Sequence, residues 1–277
     1  MKVTAQQVND LRQRTGAGMM DCKKALEEAQ GDMEQAVDIL RKKGQKVAAN
    51  RSDRNTTEGV ALASVSADSK TGFAMALGCE TDFVAKNEGF IQMTKTILDI
   101  AMKNQAESAE AVKNLPYDAT ISIGDKIVEQ IGVIGEKIDL VSYEKITGEL
   151  VTAYNHPGYK LVSLVAVNKN SAQAAEAAKQ VSMQVAAMSP IALDKSAVTQ
   201  ETIDRELAVA KELAINEGKP AEMAEKIAQG RLAKFFKEST LLEQEFIDDA
   251  KKTVAQYMNG MEAGLTCTAF RRVSLTK

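Results

Sequence analysis

One arrangement constrains this chain more than any other: a hairpin followed by a helix occurs twice. Val60–Val65 and Gly72–Leu77 are short apolar runs on either side of the polar turn Ala67-Asp-Ser-Lys-Thr71, the pattern of two paired strands. A helix from Asn87 to about Lys103 follows, with Phe90, Met93, Ile97 and Ala101 at helical spacing. Further on, Leu150–Tyr154 and Leu161–Val167 flank Asn155-His-Pro-Gly158. A helix carrying Ala174, Ala178, Val181 and Val185 comes next. Another helix, about Ile123 to Ile134, precedes this second copy. A lone hairpin cannot bury its apolar face, so each needs its helix. The pattern predicts an α+β fold with two related subdomains, each an antiparallel sheet covered by helices.

Ahead of the first hairpin, residues 4–43 read as three short helices. Thr4 with Gln7 makes a capping box, and Val8 and Leu11 supply an apolar stripe. Thr15-Gly16-Ala17-Gly18 is a turn. The second helix carries Cys22, Ala25, Leu26 and Ala29 and ends at Gly31. Asp32 with Gln35 caps the third, whose inner face is Met33, Ala36, Val37 and Leu40, and Gly44 is placed to terminate it. Met19 and Met20 sit at the tip of a glycine turn. They are either an adaptable partner surface or filling for the bundle's own core, and the sequence does not separate the two. The basic residues between Arg41 and Arg54 read as a solvated helix end running into a polar linker as far as Glu58, in preference to a nucleic-acid arm.

Residues 198–236 read as an inserted helical hairpin. Ile203, Leu207, Ala210 and Leu213 lie on one helix; Met223, Ile227, Leu232 and Phe235 lie on the other, with Gly218-Lys-Pro220 as the turn and Pro220 suited to a first helical position. Two such stripes leave an apolar edge for the core or for a second copy of the chain. A helix near Lys252–Met258 and a strand, Leu265–Leu275, close the sequence. The expected units are 1–54, 55–137 and 138–277.

Composition removes most chemical functions. The single histidine, His156, lies in a hairpin turn, so any Ser-His or Cys-His pair has one base to choose from. No Gly-x-x-x-x-Gly-Lys-Ser/Thr phosphate loop is present. Cys22, Cys79 and Cys267 are widely spaced and form neither a disulfide framework nor a metal-ligand pair, which fits a reducing cytoplasm. A net charge of −3 and the absence of tryptophan speak against nucleic acid as a partner, and no apolar run is long enough for a membrane span. The expectation is a cytoplasmic protein that is not an enzyme, holds no cofactor or metal, and acts on another protein.

The segment Thr81-Asp-Phe-Val-Ala-Lys-Asn87 stands where the apolar run Gly72–Gly78 ends and the Asn87–Lys103 helix begins. Two readings are open. Asp82 caps a turn and Phe83 is the first core residue of the helix; or Phe83 points outward as a wedge into a partner, with Asp82 beside it. Composition alone favours the first; one local feature favours the second, since Phe90 and Met93 already fill the inward face.

Two motifs, Arg14-Thr-Gly-Ala-Gly-Met-Met-Asp-Cys-Lys-Lys-Ala-Leu26 and Thr81-Asp-Phe-Val-Ala-Lys86, in this order, make the chain resemble the bacterial elongation factor Ts family over nearly its whole length. The resemblance implies a ubiquitin-associated-like N-terminal bundle, a core of two α+β subdomains and a guanine-nucleotide exchange factor for the GTPase elongation factor Tu. It implies that Val8, Leu11, Arg12, Met19, Met20 and Lys23 form a docking surface. It also implies that Thr81, Asp82, Phe83 and Val84 enter the GTPase near its magnesium and phosphate site, so it favours the wedge. His156 becomes a contact residue. The helical hairpin becomes a dimerisation element, as in some members, giving a homodimer or a 2:2 complex. At the other end, family members of the enterobacterial type continue into a further helix that touches the GTPase, whereas this sequence stops at Lys277. Ile247-Asp248 stand where that type has two apolar contacts, and Ile247 alone is carried over. The rival readings are an adaptor with no effect on nucleotide and a hydrolase built on His156.

Overall fold

The computed structural model of the chain describes residues 3–276; Met1, Lys2 and Lys277, which bound the expected units 1–54 and 138–277, lie outside the described residues. The N-terminal bundle forms as its caps dictate. Helix α1, Ala5–Thr15, starts at Thr4, whose Oγ1 accepts the Gln7 N–H at 3.2 Å while Gln7 Oε1 accepts the Thr4 N–H at 2.9 Å. Gly16, at φ 72°, ends it. Helix α2, Met19–Glu28, and helix α3, Met33–Asn50, complete the bundle, with Leu11, Cys22, Ala25, Leu26, Ala36 and Val37 buried between them.

Strands β1, Glu58–Val65, and β2, Thr71–Cys79, pair antiparallel with Val60 opposite Leu77 and Leu62 opposite Met75. A single turn of helix, α4, Asp82–Ala85, leads into α5, Glu88–Lys103, which buries Phe90, Met93, Ile97 and Ala101 as their spacing predicts. Helices α6, Ala109–Asn114, and α7, Ile123–Ile134, follow. Then β3, Asp139–Thr147, returns along β2, setting Tyr143 opposite Met75, so the sheet order is β1-β2-β3. This strand is not expected from the sequence. Only Leu140 and Ile146 of it are buried, too sparse a signal for period-two alternation. The first sheet thus takes in residues that the 55–137 division leaves outside it.

Gly44 corrects a second expectation. Helix α3 does not stop there but runs on to Asn50. The glycine marks a helix crossing: a Cβ on Gly44 would lie 2.9 Å from the Val128 carbonyl oxygen, and one on Gly132 of α7 would lie 2.7 Å from the Gly44 Cα. Backbone touches backbone there, and this close approach offsets the roughly 1 kcal/mol that each glycine costs a helix interior. The basic stretch is solvated as expected, with Lys42, Lys43, Lys46 and Arg54 exposed, yet it is also paired. Lys43 Nζ pairs with Asp21 at 2.6 Å, and Arg51 and Arg54 reach Glu80 at 2.8 and 3.4 Å, which ties the linker to the core.

The second sheet repeats the plan. Strands β4, Leu150–Asn155, and β5, Leu161–Val167, are followed by α8, Ala172–Met188. After the arm helices α9, Gln200–Asn216, and α10, Ala221–Ser239, come the short strands β6, Glu245–Phe246, and β7, Asp249–Thr253, and helix α11, Val254–Met261. Strand β8, Cys267–Ser274, closes the order β4-β5-β8. The two sheets stack face to face. Large side chains alternate with alanines in the first: Val60, Leu62, Phe73, Met75 and Leu77 face α5 and α7, while Ala61, Ala63, Ala74 and Ala76 meet Val151, Val162, Leu164 and Ala166 of the second sheet. The outer face of the second sheet is covered by α8 and α11. The result is four layers, helix–sheet–sheet–helix, thin in the middle because small residues line it.

The arm keeps most of its expected stripes, with Ala210 and Leu232 buried and Ile203, Leu207 and Phe235 packed at its base. It departs from them at the turn end. Ala210 and Ala214 of α9 meet Ala224 and Ala228 of α10 in a seam of small residues, and Leu232 and Phe236 join Ala192 and Val198 at its base. Leu213 and Met223, expected inside, stand half-exposed. An alanine seam brings the helix axes close and turns the longer apolar side chains off it. Pro220 precedes the first turn of α10 as its cap and does not enter it.

Candidate functional site

Thr81, Asp82, Phe83 and Val84 form the corner between β2 and α5. Thr81 is the N-cap of α4, Ala85 is buried in the first core, and Val84 packs partly against that core. Phe83 is 83% exposed, so its ring is not the first core residue of the following helix. Its inward counterparts are Ala85 and Phe90. Asp82 is half-exposed and accepts a hydrogen bond from Lys86 Nζ at 2.7 Å; that bond and the ammonium charge hold its carboxyl below the usual range, and Lys160 adds to the effect.

The residues that hold this corner escaped the sequence reading. Glu136, just after α7, accepts hydrogen bonds from the backbone N–H groups of Glu80 at 3.1 Å and Thr81 at 3.0 Å, and from the Thr81 hydroxyl at 2.6 Å. Glu80 answers in the opposite direction, accepting the Lys137 N–H at 2.7 Å and Arg51 at 2.8 Å. The Lys137 bond, followed by Arg51, keeps the Glu80 carboxyl below its ordinary value. Lys137 Nζ in turn donates to the Ser52 and Arg54 carbonyls. The two corners meet because Gly78 pairs with Asp139 in the β2–β3 ladder. Without that strand in view, nothing local in the sequence joins 80–81 to 136–137.

In the bundle, Met19 and Met20 are 56% and 63% exposed at the start of α2, and Arg12 and Lys23 are exposed as well. The methionines therefore do not fill the bundle's core. Val8 and Leu11 do: Leu11 has no accessible surface and Val8 almost none. Their side chains line the core between the three helices and offer almost no surface to a partner in this structure. The reason is economy of apolar surface, since the α1 stripe is all that this helix offers to α2 and α3.

His156 lies at the tip of the second hairpin, exposed, with its Nδ1 2.9 Å from the Tyr154 hydroxyl. It shares a groove of about 270 Å³ with Ile247, Met183 and Leu161, so two residues distant in sequence are neighbours. Ile247 is exposed at its rim. The same hairpin seals the free edge of β1: Asn155 bonds both backbone groups of Ala63, and the Tyr159 carbonyl accepts the Ala61 N–H at 2.6 Å. Lys160 then pairs with Glu58 at 2.7 Å, close enough to Asp82 for its charge to act there. The second hairpin tip thus adjoins the Asp82–Phe83 corner on one side and the Ile247 groove on the other.

The site carries little for covalent chemistry. All three cysteines are buried, and burial pushes the thiols of Cys79 and Cys267 up to about 12, far from a thiolate at neutral pH. Among the described residues, no group of His, Cys, Asp and Glu is gathered as for a metal ion, and no helix is long and apolar enough to cross a membrane.

Comparison with known proteins bears on the whole chain. The family described as Elongation factor TS matches residues 80–277. A protein named elongation factor Ts from Amoebophilus asiaticus is 52% identical over 274 residues, covering 99% of both chains. Those of Christiangramia forsetii and Porphyromonas gingivalis are 49% and 48% identical, over 274 and 277 residues, again 99% of each chain. These full-length matches take in the N-terminal bundle, which lies outside the matched range of the family.

Proposed function

This chain belongs to the elongation factor Ts family, and we propose on that footing that it is a guanine-nucleotide exchange factor, which binds elongation factor Tu in its GDP form and promotes GDP release. The family makes it a translation elongation factor. The observation that carries the finer reading is an aromatic side chain, Phe83, held out in solvent on a corner pinned by two carboxylates. An exposed Phe on a fixed turn has burial energy to gain only from a partner.

The mechanism is linkage. A protein that binds the nucleotide-free GTPase more tightly than the nucleotide-bound form weakens nucleotide binding by the same factor. Each tenfold of weakening takes about 1.4 kcal/mol of differential binding. Met19 and Met20, flanked by Arg12 and Lys23, serve as the docking face. His156 and Ile247 provide a second contact, and Asp82 with Phe83 acts as the wedge beside the nucleotide's magnesium and phosphates. No residue of the chain takes part in a covalent step, and the protein works in the cytoplasm.

Stopped-flow release of fluorescent GDP from elongation factor Tu tests this directly. Added chain is expected to accelerate release to a plateau as its concentration rises. Binding without acceleration would leave the adaptor reading. The arm supplies a further expectation. Val209, Leu213, Ile215 and Met223 are half-exposed along it, and we propose that a second copy of the chain covers them. Leu213→Glu is then expected to halve the mass of the dimer, measured by light scattering, with exchange per chain unchanged. A parent protein that is already monomeric at high concentration would rule this contact out.

A further inference from the structure

We infer that Glu136 is the positioning residue of the exchange corner: its carboxylate fixes the direction of Phe83 before any partner arrives. The inference rests on the exchange reading above and adds a residue to it. Helix α4 has four residues, a single turn, and such a turn does not persist in water by itself. Its own cap is weak, since the Val84 N–H lies 3.5 Å from Thr81 Oγ1, the outer limit of a hydrogen bond. Ala85 and Val84 seat it on the first core, and the backbone that leads into it is held from elsewhere in the chain. One side chain, Glu136, takes three donors from two consecutive residues: the N–H groups of Glu80 and Thr81 on Oε2, and the Thr81 hydroxyl on Oε1 at 2.6 Å, the short distance of a charge-assisted bond. A carboxylate suits this arrangement because it accepts only and has two oxygens to offer. Phe83 itself leans on almost nothing, so its direction is inherited from the residue two places before it.

The consequence for exchange is preorganisation. A corner that is already ordered loses little freedom when its ring enters the partner, whereas a loose one must be ordered during the release step. Glu136→Ala is therefore expected to lower the maximal rate of GDP release by about tenfold, the equivalent of re-ordering one backbone residue. Its ceiling is the effect of Phe83→Ala. The chain concentration for half-maximal release is expected to shift less than threefold, because the docking face on α2 is untouched. Glu136→Gln, which keeps one acceptor oxygen, falls between. Thr81→Val, which removes only the hydroxyl, loses part of the rate and serves as a second variant should Glu136→Ala fold poorly.

A double-mutant cycle with Phe83→Ala separates positioning from general support. If Glu136 acts through the ring, Glu136→Ala has no further effect on release in the Phe83→Ala background. Equal slowing in both backgrounds, or a folded Glu136→Ala protein with the parent's plateau rate, overturns the inference while leaving the wedge intact. If Phe83→Ala alone releases GDP at the parent rate, the wedge fails and the positioning role with it.

Discussion

Phe83→Ala is expected to slow chain-stimulated GDP release by about 10- to 150-fold at saturating concentration, with the fold unchanged. The range follows from the burial of a Phe side chain, worth roughly 1.5–3 kcal/mol, if all of it is gained as the GTPase leaves its GDP-bound shape. The exposure of the ring makes this a clean experiment. At 83% exposure it contributes little to the core, so melting should shift no more than for an ordinary surface substitution, within about 0.5 kcal/mol. Saturation removes any loss of affinity from the measurement, so the plateau rate reports the release step alone. Asp82→Ala is expected to do less, because the carboxylate is already engaged by Lys86 and fills little space. A folded, saturating Phe83→Ala protein that releases GDP at the parent rate would remove the wedge from the mechanism.

The second large effect belongs to a residue with no surface role at all. Gly132→Val places a branched side chain where even a Cβ would stand 2.7 Å from the Gly44 Cα. The obstacle is backbone, which no rotamer change relieves, so α3 must move away from α7. Overpacking of this kind costs about 1–3 kcal/mol, and here the cost falls on the contact that joins the bundle to the core. The expected result is faster hydrogen exchange across α1–α3, a lower melting temperature and weaker binding to elongation factor Tu. The plateau rate of GDP release is expected to hold, since Glu80 and Glu136 still fix the corner. Gly230→Val in α10 is the control: a Cβ there meets nothing within 4 Å, and only the small helix-propensity change remains. Parent-like melting and binding in Gly132→Val would mean that the crossing tolerates bulk and that the bundle is not held by it.

Much of this protein is legible in its sequence, because much of it is decided locally. The Thr4–Gln7 cap, the α5 stripe of Phe90, Met93, Ile97 and Ala101, both hairpins, and the span Ile123–Ile134 each depend on residues a few positions apart, where periodicity and capping chemistry act. The family was legible for another reason, two long motifs in the right order. The alternation of large residues with alanines in β1 and β2 went unread as such, because both kinds are apolar; the stacked sheets show that the large residues face helices and the alanines face the second sheet. What tertiary structure alone decided are the features that need two distant segments. A glycine that ends a helix and one that lets two helices touch look alike in sequence; only the arrival of α7 makes Gly44 the second kind. Met19 and Met20 read equally as a partner surface or as core until α1, α2 and α3 close on Val8 and Leu11 and leave the methionines outside. In the arm, alanine positions outrank larger neighbours because two helices approach closely, a distance no single stripe encodes. Most tellingly, Glu136 comes to hold Thr81 through the pairing of β2 with β3, whose register is set by the whole sheet and by nothing in the residues that meet.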